Sequence, residues 1–221
     1  MGATSTPAYD THAEWYEDFI SGGRDYRQRV HASVADLLGP GDGPCLDICC
    51  GTGAHASVPA ALGWTPLGVD LSGGQLRHAR DRLPAARGDA TALPIADASL
   101  PAAMCVLAST DVPDYSLVLR EVARVLRPGG RFVHVGVHPC FVGAFADRGG
   151  HPAVVVDERY ADRARSFDSW NTSGVRARVG AWHVPLADLL NATLSAGLRP
   201  VRFAESGPGG VPDLFGFLAV R

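Results

Sequence analysis

Residues 44–55 read PCLDICCGTGAH, and the interpretation of this stretch decides the fold. A short apolar run carrying one acid leads into a small-residue turn with Gly51 and Gly53, the pattern of a strand feeding a ligand loop. Leu46 and Ile48 flank Asp47, so the strand reads as buried on both faces, as in a parallel sheet. A carboxylate there is costly unless a ligand or a buried turn satisfies it. Gly51 and Gly53 lack a Cβ, which lets the backbone turn sharply and approach a bound molecule, with the N–H groups of a following helix directed at it. The stretch therefore describes a nucleotide-type pocket, with a plain strand-to-helix turn as the alternative that the loop alone leaves open.

Working outward, residues 65–69 predict a second strand that ends at Asp70 in LGVDLS. An acid at a strand tip about 20 residues beyond a glycine loop can accept both hydroxyls of a ribose. Asp70 also reads as an acid before a helix, with Ser72 as the cap of residues 74–83. A short third strand runs to Arg87, and GDATALP then places Asp89 at another strand end. The strand tips of a doubly wound sheet share one edge, where ligands bind, so Asp47, Asp70 and Asp89 are expected together there.

The rest of the chain extends the alternation of strand and helix. Residues 9–21 carry Trp15, Tyr16 and Phe19 at helical spacing, and residues 26–38 place Val30, Val34, Leu37 and Leu38 on one face. Both helices are expected to cover the core domain, either over a ligand or against the sheet. Residues 54–62 predict a helix that Pro59 interrupts, and residues 102–107 an apolar fourth strand. Residues 117–126 predict a helix with Leu117, Val118, Val122, Val125 and Leu126 inward, closed by RPGG before a fifth strand at 131–137. An insert of about residues 142–182 follows, with a strand signal at 154–156 and with Phe167, Trp170 and Trp182 expected to be partly buried, as in a lid. A helix at 183–196, with Leu186, Leu189, Leu190 and Leu194 inward, and a hairpin of strands at 201–204 and 214–220 complete the chain.

With 221 residues, one domain over 1–221 is expected. Charged residues make up 19% and the net charge is -3 without a basic block, so the composition points to a small-molecule partner rather than nucleic acid or an anionic membrane. MGATSTPAYD has no charged flank and apolar core of a leader, and the expectation is a soluble, cytoplasmic protein. The cysteines Cys45, Cys49, Cys50, Cys105 and Cys140 form no C-x-x-C pair and read as free thiols; no metal site is expected.

On these residues the chain resembles the class I S-adenosylmethionine-dependent methyltransferases, in particular the small-molecule branch with a minimal core. LDICCGTG is similar to the first motif of that family, GVDLS to its second, GDATALP to its third, and LREVARVLRPGGRFV to its helix and fifth strand. The resemblance implies an α/β, Rossmann-like doubly wound sheet of seven strands, order 3-2-1-4-5-7-6 with strand 7 antiparallel. It implies S-adenosylmethionine as cofactor, S-adenosylhomocysteine as product, and methyl transfer to an O or N atom of a small molecule such as a secondary metabolite. Asp47, Cys49, Gly51 and Gly53 would then surround the methionine part, Asp70 the ribose, and Leu71, Asp89 and Ala90 the adenine, with Tyr16 and Ala108 also at the cofactor. Cys49 departs from the glycine usual at its position, and Leu100-Pro101 from an aromatic-acid pair.

In-line methyl transfer needs alignment and water exclusion more than a metal, and a hydroxyl or ammonium acceptor needs a base. His138, after the fifth strand, is the first candidate for that base, and Asp111 would orient it or hold an amine. Phe141, Tyr160 and His183 are the substrate-side candidates. Two other readings stay open: a nicotinamide-dependent oxidoreductase, which the glycine loop and Asp70 alone would fit, and a methyltransferase-like protein that binds the cofactor and catalyses another reaction. The oligomeric state is left open.

Overall fold

The computed structural model of the protein describes residues 7–149, 153–169 and 174–221. Among them, the seven strands of the main sheet are β1 Pro44–Ile48, β2 Thr65–Asp70, β3 Ala85–Arg87, β4 Leu100–Val106, β5 Leu126–Val137, β6 Arg199–Ser206 and β7 Leu214–Val220. Their order is β3-β2-β1-β4-β5-β7-β6. β1 to β5 pair in parallel, and β7 runs antiparallel to both β5 and β6. The order and the reversed seventh strand are those that the resemblance implied.

Period-two alternation divides the core between the two faces of the sheet. Leu46, Ile48, Ala103, Cys105, Phe132 and Phe217 face α5 (Tyr115–Val125) and α7 (Leu186–Ser195). Cys45, Met104, Val133 and Val135 face α2 (Arg24–Leu38), which buries Val30, Val34, Leu37 and Leu38 as its spacing predicts. All of β4 is buried, which is why its sequence is continuously apolar.

Several boundaries differ from the sequence reading for identifiable reasons. The helix expected at 54–62 shortens to α3, Ser57–Ala61. Pro59 then falls in its first turn, where a missing N–H costs no helical bond. The helix after Ser72 is α4, Gly73–Ala79, and ends earlier than expected. RPGG does not precede the fifth strand; it lies within β5, whose pairing with β4 shifts register between Leu100 and Ala102. Leu117 and Leu194, expected inward, are 37% and 57% exposed, while Leu119 and Thr193 take the buried positions.

α1 (Ala13–Gly22) follows a 3-10 turn at Asp10–His12, so the N-terminal aromatic segment is helical as expected. In the insert, Ala146–Asp147 pairs with Val155–Val156, Glu158–Ala161 forms a 3-10 turn, and α6 is Val175–Val179. Phe167 is 52% exposed, against the expectation of burial, and Trp170 lies outside the described residues. No helix among the described residues is long and apolar enough to cross a membrane.

Phe217 is fully buried between Phe132, 6.1 Å away, and the stacked ring of His134 at 4.9 Å. Phe217→Ala is expected to cost about 3–5 kcal/mol of folding stability, read as a lowered midpoint of urea unfolding.

Candidate active site

The loop after β1 is held from below by the end of β2. Cys50 N–H donates to Val69 O at 3.1 Å, and Gly51 N–H to Asp70 Oδ2 at 2.8 Å. Asp70 Oδ1 accepts from Ser72 N at 2.8 Å. The turn requires positive φ at Cys49 (58°), Gly51 (54°) and Gly53 (74°). Glycine takes that conformation freely, whereas Cys49 occupies it at a steric cost that the surrounding contacts must offset. Ser72 caps α4 by accepting from Gln75 N, and Asp10 reinforces the cap by accepting from Ser72 Oγ and from Gly74 N. The N-terminal segment is thereby fastened to the sheet edge.

A cavity of about 630 Å³ opens over this edge. At one end are Cys49, Gly51, Asp70, Leu71 and Gln75, followed by Asp89 and Ala90; at the other are Asp111, Arg165 and Trp182, with Tyr9 and Tyr16 alongside. The first end has the hydrogen-bonding character of a nucleoside site. Asp70 has one protein bond on each oxygen, and a carboxylate oxygen accepts two, so both can still receive a hydroxyl. Asp89 commits Oδ1 to Thr91 N and Oγ1, and the buried Ala90 backbone N–H donates to no protein acceptor among the described residues. An acceptor beside a donor complements the Watson–Crick edge of adenine. Gln75 Oε1 is a further buried acceptor without a partner.

Burial dominates the electrostatics. It pushes the Asp47 carboxyl up to about 8, with the Asp70 charge adding to the shift. Asp70 is also raised by burial, although the N–H bonds from Ser72 and Gly51 oppose the shift. Asp111 rises to about 7, chiefly by burial, despite the bond from Tyr9 and the nearby Arg176 and Arg165. Tyr9 Oη donates to Asp111 Oδ2 at 3.1 Å and stands edge-on to Tyr16 at 5.3 Å. Burial holds the Tyr9 phenol in its protonated form.

The sequence-derived candidates divide into two groups. Tyr16, Cys49, Gly51, Asp70, Leu71, Asp89, Ala90, Ala108 and Asp111 all line the cavity. Asp47 and Gly53 do not line it: Asp47 has Oδ2 buried and unpartnered, and Gly53 lines a separate hollow with Glu17 and Arg82. His138 is outside the cavity and 2% exposed. Its Nε2 is 2.8 Å from Glu205 Oε1, its Nδ1 accepts from Cys140 N, and its ring stacks on Phe141 at 4.5 Å. Both ring nitrogens are thus engaged away from Asp111. Tyr160 and His183 form a separate cluster with Phe145, at ring separations of 4.4–5.2 Å. Tyr9, Gln75 and Arg165 were not identified from sequence. The seven-residue spacing of Tyr9 and Tyr16 was a usable signal, since it keeps two side chains on one helical face; Arg165 sits in an aperiodic insert and gave none.

The seven-stranded order with its antiparallel β7 and the loop-and-acid edge constitute the fold of the class I S-adenosylmethionine-dependent methyltransferases. Residues 46–134 match the family model described as a methyltransferase domain. A demethylmenaquinone methyltransferase of Mycobacterium sp. (strain JLS) is 40% identical over 115 residues, 52% of this chain and 50% of that protein. The chain thus spans about half the length of the curated relatives it matches. An S-adenosylmethionine-dependent methyltransferase from Mesorhizobium loti superposes with a TM-score of 0.68 at 24% identity, covering 88% of this chain and 96% of the other. A possible histamine N-methyltransferase from Thermotoga maritima gives 0.69 at 21% identity, covering 96% and 97%.

Asp47 has a folded-state pKa of about 8, above its value in the unfolded chain, so the folded state holds the extra proton and loses stability as pH rises from about 4 to about 8. Asp47→Asn removes this dependence. Its thermal midpoint relative to the parent is expected to increase from pH 5 to pH 8, as measured by calorimetry across that range.

Proposed function

We propose that the protein transfers the methyl group of S-adenosylmethionine to an oxygen or nitrogen atom of a small molecule. The observation that carries this reading is the continuity of one cavity, from the Asp70 and Asp89–Ala90 edge to the Asp111 end. A nucleoside fits the first end: Asp70 can accept its ribose hydroxyls, Asp89 and Ala90 can pair with its adenine edge, and Leu71 offers an exposed apolar side chain to the ring. The methionine part would lie against Cys49 and Gly51, with the unpartnered Oδ2 of Asp47 behind them open to a hydrogen-bond donor whose positive charge would favour the ionised carboxyl. When bound, the cofactor supplies an electrophilic methyl group on a sulfonium.

The chain's own contribution is alignment, exclusion of water and removal of a proton. Tyr9, Tyr16 and Trp182 wall the region around Asp111. Asp111, with a pKa near 7, is suited to take a proton from a hydroxyl or ammonium at neutral pH, and Tyr9 fixes its Oδ2 so that Oδ1 can face the acceptor. The engagement of both His138 nitrogens moves the base role from His138 to Asp111 in this reading. A hydrogen bond with Cys105, together with burial, raises the Cys49 thiol, so it stays neutral and acts as packing beside the cofactor. The nicotinamide reading has less support: Ala54–Ala56 separate Gly53 from α3, which has five residues, so no helix start abuts the loop where a pyrophosphate would sit.

Calorimetric titration with S-adenosylmethionine, S-adenosylhomocysteine and NADH is expected to show one site for each sulfur nucleoside and no heat with NADH. Binding of NADH alone would overturn the reading. With an acceptor found by screening phenols and amines, kcat/KM is expected to rise with pH through a midpoint near 7. Asp111→Asn should then lower kcat by about 10²–10⁴-fold and leave S-adenosylhomocysteine affinity intact.

A further inference from the structure

Two arginines of the insert act on Asp111: Arg165 lines the cavity with it, and Arg176 lies within electrostatic reach of its carboxyl. Arg165 lines the cavity, with its guanidinium 4.8 Å from the Trp182 ring centroid and 5.2 Å from that of Phe167, and it donates to the Val179 carbonyl. Arg176 stands on α6 three residues before the cavity-lining Val179, on the same side of that short helix, and is half-buried. Arg176 and Asp111 influence each other electrostatically: Asp111 favours the charged guanidinium, and both arginines favour the carboxylate.

The balance of charge is incomplete. Among the described residues Arg176 has no hydrogen-bond or ion-pair partner, and Arg165 spends one of its five donors, on Val179. Other acids of the region are committed, Asp157 to Arg159 and Asp188 to Arg163. Asp111 is the acid whose charge acts on Arg176, and near neutral pH its carboxyl is partly protonated, so it does not offset two positive charges. Arg165 is exposed and Arg176 half-buried, so the open donors of Arg176 in particular gain from an anion, and the planar fork of a guanidinium suits a carboxylate.

We infer that the methyl acceptor is a small carboxylate, held by Arg165 and Arg176 through its anionic group while its nucleophilic atom faces Asp111. The inference rests on the proposed methyltransferase reading and adds the acceptor's chemical class to it. Arg165 and Arg176 are specificity determinants on this view, and Trp182 supplies an apolar wall beside the anion.

The full chain saturated with S-adenosylhomocysteine would be titrated with benzoate and with its neutral isostere benzamide. Benzoate is expected to bind about ten-fold or more tightly than benzamide, the scale of one charge-assisted contact. Arg176→Gln should weaken benzoate by about the same factor, and Arg176→Lys by less, with S-adenosylhomocysteine affinity unchanged. Benzamide binding as tightly as benzoate, no benzoate binding at millimolar concentration, or unchanged benzoate affinity in both Arg165→Gln and Arg176→Gln would overturn the inference. The comparison of the two probes on the parent protein decides the matter even if a variant fails to fold. Failure of S-adenosylhomocysteine to bind the parent protein would instead defeat the cofactor reading itself.

Discussion

The hydrogen bond from Gly51 N–H to the Asp70 carboxylate is the constraint on which the site depends. It joins the loop after β1 to the tip of β2, while the parallel pairing of Ile48 with Val69 holds the strands beneath it in register. The loop comes so close to β2 that a Cβ on Gly68 would lie 2.6 Å from Cys50 Sγ, so strand and loop must be composed together. Asp70's second oxygen takes Ser72 N–H, Ser72 caps α4, and Asp10 completes the same turn. One carboxylate thereby sets the loop, the adjacent helix start and the docking point of the N-terminal segment.

The architecture concentrates carboxyl groups where water is scarce. Asp47, Asp70 and Asp111 are all raised by burial, and the charge of Asp70 raises the other two further. Such an edge is poorly satisfied by itself and favours ligands that bring positive charge or hydrogen-bond donors. The N-terminal segment and the insert close over it from opposite sides. Tyr9 reaches Asp111 across 102 residues of chain, and the Arg178 guanidinium lies 4.4 Å over the Trp15 ring. The Glu17–Arg82 pair tethers α1 below, with Arg82 also bonded to Thr52 O. The Glu17–Arg82 and Arg178–Trp15 contacts are each worth roughly 1 kcal/mol or less, while the Tyr9–Asp111 bond is partly buried.

The histidines show how far residue type can mislead. His138 sits at a strand end beside the sheet edge, a position that suggested a base, yet Glu205, Cys140 N–H and Phe141 take up its polar atoms and one ring face. His134 lies in the sheet against Phe217 and Tyr115, with burial pushing its pKa to about 3, so it remains a neutral packing residue. Asp111, expected to orient His138 or hold an amine, is the acid of that loop that the cavity encloses. What separates these residues is their neighbours on β6, on the N-terminal segment and in the insert, far away along the chain.

The sequence by itself determined the sheet, its order through the resemblance, and the acid-bearing edge, because those depend on local patterns: two-residue apolar alternation, a small-residue turn, and acids at or near three strand tips. The positions of Asp70, Asp89 and Ala90 were legible for that reason. Only the tertiary structure decided the Asp111 end of the cavity. Asp111, Tyr9, Arg165 and Trp182 come from four separate segments, and whether they share a cavity depends on how an aperiodic insert folds back to the loop after β4, as in the bond from Trp182 N to Thr110 O at 2.8 Å. Periodicity encodes which face of an element is buried; it carries no information about which distant side chains meet, since that is set by long-range packing and by the burial energies that follow from it.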